Sequence, residues 1–151
     1  MNYYDQISEG YNNLHKEEQI KKVNEIIDEL SITNERVLDV GCGTAFYSYL
    51  FKDYTGIDNS KGMLSKTEAN VIHGEAESLP FEDKSFDVVI SVTAIQNFTN
   101  IEKEIKEIRR VAKNKIAISI LKRSKKLKEV ETLLKDFKKI EEDKDIIFIL
   151  S

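Results

Sequence analysis

Apolar positions fall in two rhythms along this chain, and the rhythms alternate. Residues 14–30 (LHKEEQIKKVNEIIDEL) carry Ile20, Val23, Ile26, Ile27 and Leu30 at helical spacing. Arg36–Val40 then reads as a strand, 44–52 as a short helix and Asp53–Asp58 (DYTGID) as a second strand. A short helix begins at Ser60, whose hydroxyl suits an N-cap, and 70–73 reads as a third strand. Phe86–Val92 (FDVVISV) is apolar on both faces, the mark of a strand buried on both sides. A helix over 101–112 points Ile101, Ile105, Ile108, Val111 and Ala112 inward. Residues 115–121 (KIAISIL) form a fifth strand and 124–134 a helix. Two closing strands, 137–142 and 145–150, lie close enough together for an antiparallel hairpin. Alternating strands and helices predict an α/β fold: a doubly wound, mostly parallel sheet with right-handed crossovers.

A length of 151 residues suits one compact domain, with 1–34 as an N-terminal helical segment and 35–151 as the α/β core. No apolar run approaches the ~20 residues that span a bilayer. The N-terminus is polar and acidic, unlike a secretory signal, so a cytoplasmic location is expected. Cys42 is the only cysteine, which excludes an internal disulfide and a Cys-rich metal site. His15 and His73 lack metal-ligand spacing, so no metal is expected. The net charge of −4 is uneven: residues 1–100 hold 8 basic and 17 acidic side chains, residues 101–139 hold 14 and 6. Glutamates interleave with the basic run Lys122, Arg123, Lys125, Lys126 and Lys128, so it reads as a solvated face.

The chemistry concentrates at strand ends. VLDVGCGTAF (Val37–Phe46) delivers a strand into a turn with two glycines, where a ligand can approach the main chain closely. Asp39 precedes the turn, placed to organise it or to meet a cationic ligand group. The second strand ends in Asp58, and GEAESLPF with Glu75 and Glu77 follows the third. In a doubly wound sheet such ends border one crevice. A nucleoside explains them together: Asp58 accepts both ribose hydroxyls, Glu75 accepts from an adenine amine and the Ala76 amide meets a ring nitrogen. A nicotinamide dinucleotide is the competing ligand. Its G-x-G-x-x-G/A fingerprint requires Gly or Ala where this chain has Phe46.

With VLDVGCGTAF, TGIDNSKGML (Thr55–Leu64), GEAESLPFEDKSFDVVIS (Gly74–Ser91) and EIRRVAKNKIAIS (Glu107–Ser119) in order, the chain resembles class I S-adenosylmethionine-dependent methyltransferases, especially the ubiquinone/menaquinone-biosynthesis type. The resemblance implies a Rossmann-like methyltransferase fold and S-adenosylmethionine as cofactor. It puts Asp39, Gly41, Cys42 and Gly43 around the methionine part and Asp58 at the ribose. Asn59 and Met63 flank the adenine, Glu75 and Ala76 meet its edge, and Ser91 lies near the methyl-donor end. Tyr3, Tyr4 and Tyr11 lie in a segment that folds over the cofactor in relatives, Tyr11 being favoured for a contact. Tyr11, Gln96 and Asn97 are the candidates for a part in catalysis; Gln96 and Asn97 either orient a nucleophile or cap the next helix.

Four departures stand out from that family. The link from Met63 to strand three is short. The stretch from Gly43 to Asp58 is short, so its helix must be clipped. Lys113-Asn114-Lys115 replaces a glycine pair before strand five. No sizeable insertion follows strand four or five, which implies an open site suited to a protein or RNA acceptor, or to an activator subunit that completes the pocket. A small-molecule acceptor remains compatible. The competing functional class is a silent S-adenosylmethionine-binding regulatory or scaffold subunit.

Overall fold

A computed structural model describes the backbone of residues 3–151 and the side chains of residues 13–151. Seven strands form one sheet in the order β3-β2-β1-β4-β5-β7-β6. They are β1 (Arg36–Val40), β2 (Asp53–Asp58), β3 (Val71–His73), β4 (Phe86–Ser91), β5 (Ala112–Leu121), β6 (Lys138–Glu141) and β7 (Asp145–Leu150). The first five are parallel; β7 runs antiparallel to β5 and β6 antiparallel to β7. The mostly parallel sheet with a closing antiparallel hairpin is the fold expected from the sequence. The order of winding reverses between β1 and β4, and ligands of open α/β sheets bind at such a point.

Helices cover both faces. On one, α1 (Tyr3–Leu30) packs Val23, Ile26 and Leu30 with Val37, Val88 and Ile90 of the central strands. On the other, α3 (Ile101–Val111) and α4 (Leu127–Leu133) pack Ile105, Ile108 and Val130 with Leu38, Val89 and Ile118. Neighbouring residues such as Val37 and Leu38 serve opposite faces because side chains alternate across a strand. All five inward positions expected on α3 are buried. Asn100 caps that helix, its side chain accepting from the Lys103 amide at 3.1 Å. Ser60 caps the short α2 (Lys61–Leu64) as expected.

The helix expected over 44–52 does not form. Turns and a single 3-10 turn at Ser48–Leu50 replace it. Ala45 takes a positive φ of 51°, which breaks a helix, and Ala45, Tyr47 and Phe51 are all buried. This clipped crossover spans its gap by packing aromatics instead of winding. Two other boundaries move. β5 begins at Ala112, directly after α3, so Lys113-Asn114-Lys115 lies in the strand, with Lys115 paired to Glu35 at 2.9 Å. α4 starts at Leu127 because Ser124 accepts from the Leu127 amide in a preceding turn.

One glycine in β2 is required by packing. A Cβ on Gly56 would stand 2.7 Å from Cys42 Sγ and 2.9 Å from Tyr54 Oη. Gly56→Ala is expected to cost about 1–3 kcal/mol through overpacking, read by denaturant unfolding. A loss below ~0.5 kcal/mol would show that Cys42 moves freely.

Candidate functional site

The glycine turn follows β1. Gly41 and Gly43 adopt φ of +80° and +57°, and the Gly41 and Cys42 amides donate to the Ile57 carbonyl at 2.8 and 3.1 Å. A Cβ on Gly41 would lie 2.7 Å from that of Ala94 and 3.2 Å from the Phe98 ring, so the loop after β4 can close against bare backbone only here. Asp58, at the end of β2, holds the turn from the other side. Its Oδ2 accepts from the Gly43 amide at 2.8 Å and its Oδ1 from the Ser60 amide at 2.9 Å. An ionised carboxylate has roughly four acceptor positions, so about two remain for a ligand.

A crevice opens beside this arrangement, with Gly41, Asp58, Asn59, Glu75, Ala76, Asn97 and Phe98 among its lining. Of the expected site residues, Gly41, Asp58, Asn59, Glu75, Ala76 and Asn97 are thus brought together. Met63 reaches over Gly43 and is 42% exposed.

Asp39, Cys42 and Ser91 lie beneath the loop. Asp39 is fully buried, and its Oδ2 accepts from the hydroxyls of Tyr47 and Tyr54 at 2.7 and 2.6 Å. Burial pushes its carboxyl up to about 6, opposed by the two hydroxyls and reinforced by the charge of Asp58. Through these bonds it ties the crossover at Tyr47 to β2 at Tyr54, and its Oδ1 has no hydrogen-bond partner among the described residues. Cys42 points its thiol at Gly56, and burial and the nearby acids raise its pKa, so it stays a packed thiol. Ser91 is buried and donates to the Val40 carbonyl at 3.0 Å, tying β4 to β1 where the turn starts. Gln96 lies outside the crevice wall, its Nε2 donating to the Thr93 carbonyl at 3.0 Å. The side chains of Tyr3, Tyr4 and Tyr11 lie outside the described residues.

Residues 38–120 match the family model described as a methyltransferase domain. This chain belongs to that methyltransferase family. A demethylmenaquinone methyltransferase of Thermotoga maritima is 33% identical over 139 residues, which cover 80% of this chain and 60% of that protein. The chain spans between 47% and 60% of the length of the first two curated relatives it matches. The fold recurs in a crystal structure from Methanococcus maripaludis assigned as an S-adenosyl-L-methionine-dependent methyltransferase. Its TM-score is 0.81 at 16% identity, over 97% of this chain and 90% of that one. It recurs also in a Haloferax volcanii protein assigned as a methyltransferase and solved with the Trm112 methyltransferase activator. There the TM-score is 0.75 at 14% identity, over 95% of this chain and 94% of that one.

The family and fold imply S-adenosylmethionine as the cofactor of this methyltransferase domain, and the crevice has donors and acceptors that suit it. A further group at the crevice, which the sequence reading missed, is Glu104. It lies in the first turn of α3, is 3% exposed and borders the crevice, and its Oε2 has no hydrogen-bond partner among the described residues. Burial pushes its carboxyl up to about 8, the charge of Glu77 adding to the rise, Lys126 opposing it and Glu75 adding further. A carboxyl neutral at pH 7 can both donate and accept, which matches a purine edge of mixed polarity. One signal was legible: Glu104 is an acid set into the inward stripe of Ile101, Ile105 and Ile108. Lys126 is also more than part of a solvated face, because its Nζ donates to the Phe98 carbonyl at 2.8 Å.

Glu104 gives the unliganded domain a pH signature. Its folded pKa lies above the ordinary 4.5, so its favourable contribution is complete below that value and is lost as pH rises through about 8. Against Glu104→Gln, which has no such titration, the natural chain is expected to lose roughly 3–5 kcal/mol between pH 5 and 9. Paired denaturant unfolding at the two pH values reads the difference, and Asp39 cancels because both proteins carry it. Parallel pH profiles would place Glu104 in water.

Proposed function

We propose that this domain binds S-adenosylmethionine in the crevice and transfers its methyl group to an acceptor presented beside the C-terminal ends of β4 and β5. The observation that carries the reading is the carboxylate of Asp58, which fastens the glycine turn and Ser60 while keeping acceptor positions for a ribose. Gly43 leaves backbone bare for the methionine part, Asn59 and Met63 flank the base, and Glu75, the Ala76 amide and Glu104 serve its edge. When bound, the cofactor supplies a sulfonium methyl that is already activated. The work left to the chain is to align the attacking atom and exclude water. A strongly basic side chain at the reacting centre is therefore not required unless the acceptor atom carries a proton at neutral pH.

Calorimetry with S-adenosylmethionine, S-adenosylhomocysteine and NAD tests the ligand. Binding of the first two supports the proposal, and binding of NAD alone overturns it. Label transfer from the methyl-labelled cofactor separates a transferase from a silent cofactor-binding subunit.

An activator subunit is a second proposal. It is supported by the Haloferax volcanii protein, which shares this fold over nearly the full length of both chains and was solved with an activator. It is tested by comparing label transfer with and without the corresponding activator of the same cells.

A further inference from the structure

The loop after β4, residues 92–100, forms one side of the crevice and closes on the glycine turn. Ala94 and the Phe98 ring pack over Gly41, in the space a Cβ there would take. Phe98 also belongs to the crevice lining, with Asp58, Glu75 and Ala76. The backbone bonds within the loop are local. The Asn97 amide donates to the Ala94 carbonyl at 3.0 Å, and the Phe98 amide to the Ile95 carbonyl at 3.2 Å. They make a single 3-10 turn, Ile95–Asn97, a short element that fixes little beyond itself. Phe98 leaves this turn with extended backbone, φ −83° and ψ 148°, so its carbonyl needs a partner from outside the loop.

Lys126 is that partner. It stands 28 residues away in the chain, and its Nζ donates to the Phe98 carbonyl at 2.8 Å. The base of its side chain is fixed. Lys126 is the N-cap residue of α4; its amide donates to Ser124 Oγ at 3.2 Å and its carbonyl accepts from the Val130 amide at 3.1 Å. Val130 is fully buried and anchors that first turn in the same core as Ile105 and Ile108. Of the basic run Lys122, Arg123, Lys125, Lys126 and Lys128, only Lys126 is half-buried, and the other four are exposed. Holding a lysine to one partner costs side-chain freedom, and this position alone in the run bears that cost.

The ammonium also faces an acidic space. Asp58, Glu75, Glu77 and Glu104 line the crevice, and among the described residues no lysine or arginine does. Burial raises the Glu104 carboxyl most; Glu77 adds to the rise, Lys126 opposes it and Glu75 adds further. The loop after β4 carries no charged side chain of its own. The one cation acting on Glu104 is therefore the one that holds Phe98.

We infer that Lys126 is a positioning residue for the cofactor: it clamps the loop after β4 onto the glycine turn and so keeps Phe98 standing as a wall of the crevice. The inference rests on the cofactor reading above. Lys126 acts through Phe98 and touches none of the reacting atoms.

Calorimetry on the full chain with S-adenosylhomocysteine tests the clamp. The sulfur of that ligand is neutral, so the lost ammonium does not act through a sulfonium charge. At pH 6 Glu104 is protonated with or without Lys126, so the clamp is what differs. Lys126→Met keeps an unbranched stem without the ammonium, and is expected to weaken binding about tenfold, as loss of a charge-assisted hydrogen bond does. Lys126→Gln, too short to reach Phe98, serves if that variant does not fold. Lys126→Arg keeps a donor and is expected to recover affinity to within about threefold of the natural chain. Lys125→Met, at the exposed neighbour, is expected to leave it unchanged.

A second measurement needs no ligand. With carbon-13 in the glutamate carboxyls, the Glu104 signal is identified by its loss in Glu104→Gln. It is expected to titrate at about 8 in the natural chain and at higher pH in Lys126→Met, because the opposing cation is gone. A lysine that merely stabilised α4 would leave that midpoint in place. Affinity of Lys126→Met within twofold of the natural chain overturns the inference and leaves the cofactor assignment standing. A loss that Lys126→Arg shares in full overturns it too, as does a Glu104 midpoint that does not move. Absence of binding by the natural chain defeats the cofactor reading itself.

Discussion

Replacing Asp58 with alanine is expected to weaken S-adenosylmethionine binding at least ~100-fold, measured by calorimetry. The carboxylate accepts from two backbone amides, Gly43 and Ser60, and faces the crevice with its remaining acceptor positions. Hydrogen bonds to a charged group contribute about 1.5–3 kcal/mol each, and 1.4 kcal/mol is a tenfold change in affinity. Loss of the ribose contacts alone therefore reaches the stated factor, and release of the glycine turn adds to it. Asp58→Asn discriminates further. An amide keeps one acceptor oxygen but sets an NH2 against a backbone N–H, so at least one of the two anchors is lost. Its affinity is expected to lie between those of the natural chain and the alanine variant. Lys125→Ala, at an exposed position, is the control and is expected to leave affinity unchanged. A loss under threefold in Asp58→Ala would remove Asp58 from the cofactor site.

The largest expected effect on stability comes from Lys22. Lys22→Met leaves the buried carboxylate of Asp145 without its cation, and removing one partner of a buried pair costs about 3–5 kcal/mol. Gln19 and Thr93 lose a donor in the same step. The double variant Lys22→Met/Asp145→Leu removes both charges, and much of the loss is expected to return, because burying the two ions is itself costly. Denaturant unfolding of the natural chain, both single variants and the double gives the coupling energy directly. Additive losses in the cycle would mean that the two side chains do not share their stabilisation.

The central strands were legible because β1, β4 and the latter part of β5 are short apolar runs bounded by polar residues, and the parallel order followed from alternation with helices. The crossover at 44–52 was misread. Its apolar spacing fits a helix, but Tyr47 is drawn to Asp39 and Ala45 takes a left-handed turn, and neither demand shows in local periodicity. The crevice wall was legible where residues follow strand ends: Gly41, Asp58, Glu75 and Ala76. Glu104 showed only as an acid in the inward stripe of α3; its place at the crevice depends on α3 lying beside the loop after β3. The Lys22, Thr93 and Asp145 cluster was invisible for a similar reason. Its members stand 71 and 52 residues apart in the chain and meet only through the strand order.

The two margins of the sheet say how this domain keeps to itself. One ends in β3, three residues long, and the other in β6, whose sequence KKIE sets Lys138 toward Glu29 and Lys139 toward Glu131. Brevity on one side and lysine on the other are what natural sheets use to discourage growth by addition of a foreign strand. Pairing of a second chain is thereby discouraged at both margins, while the edge that carries the crevice lies clear of either.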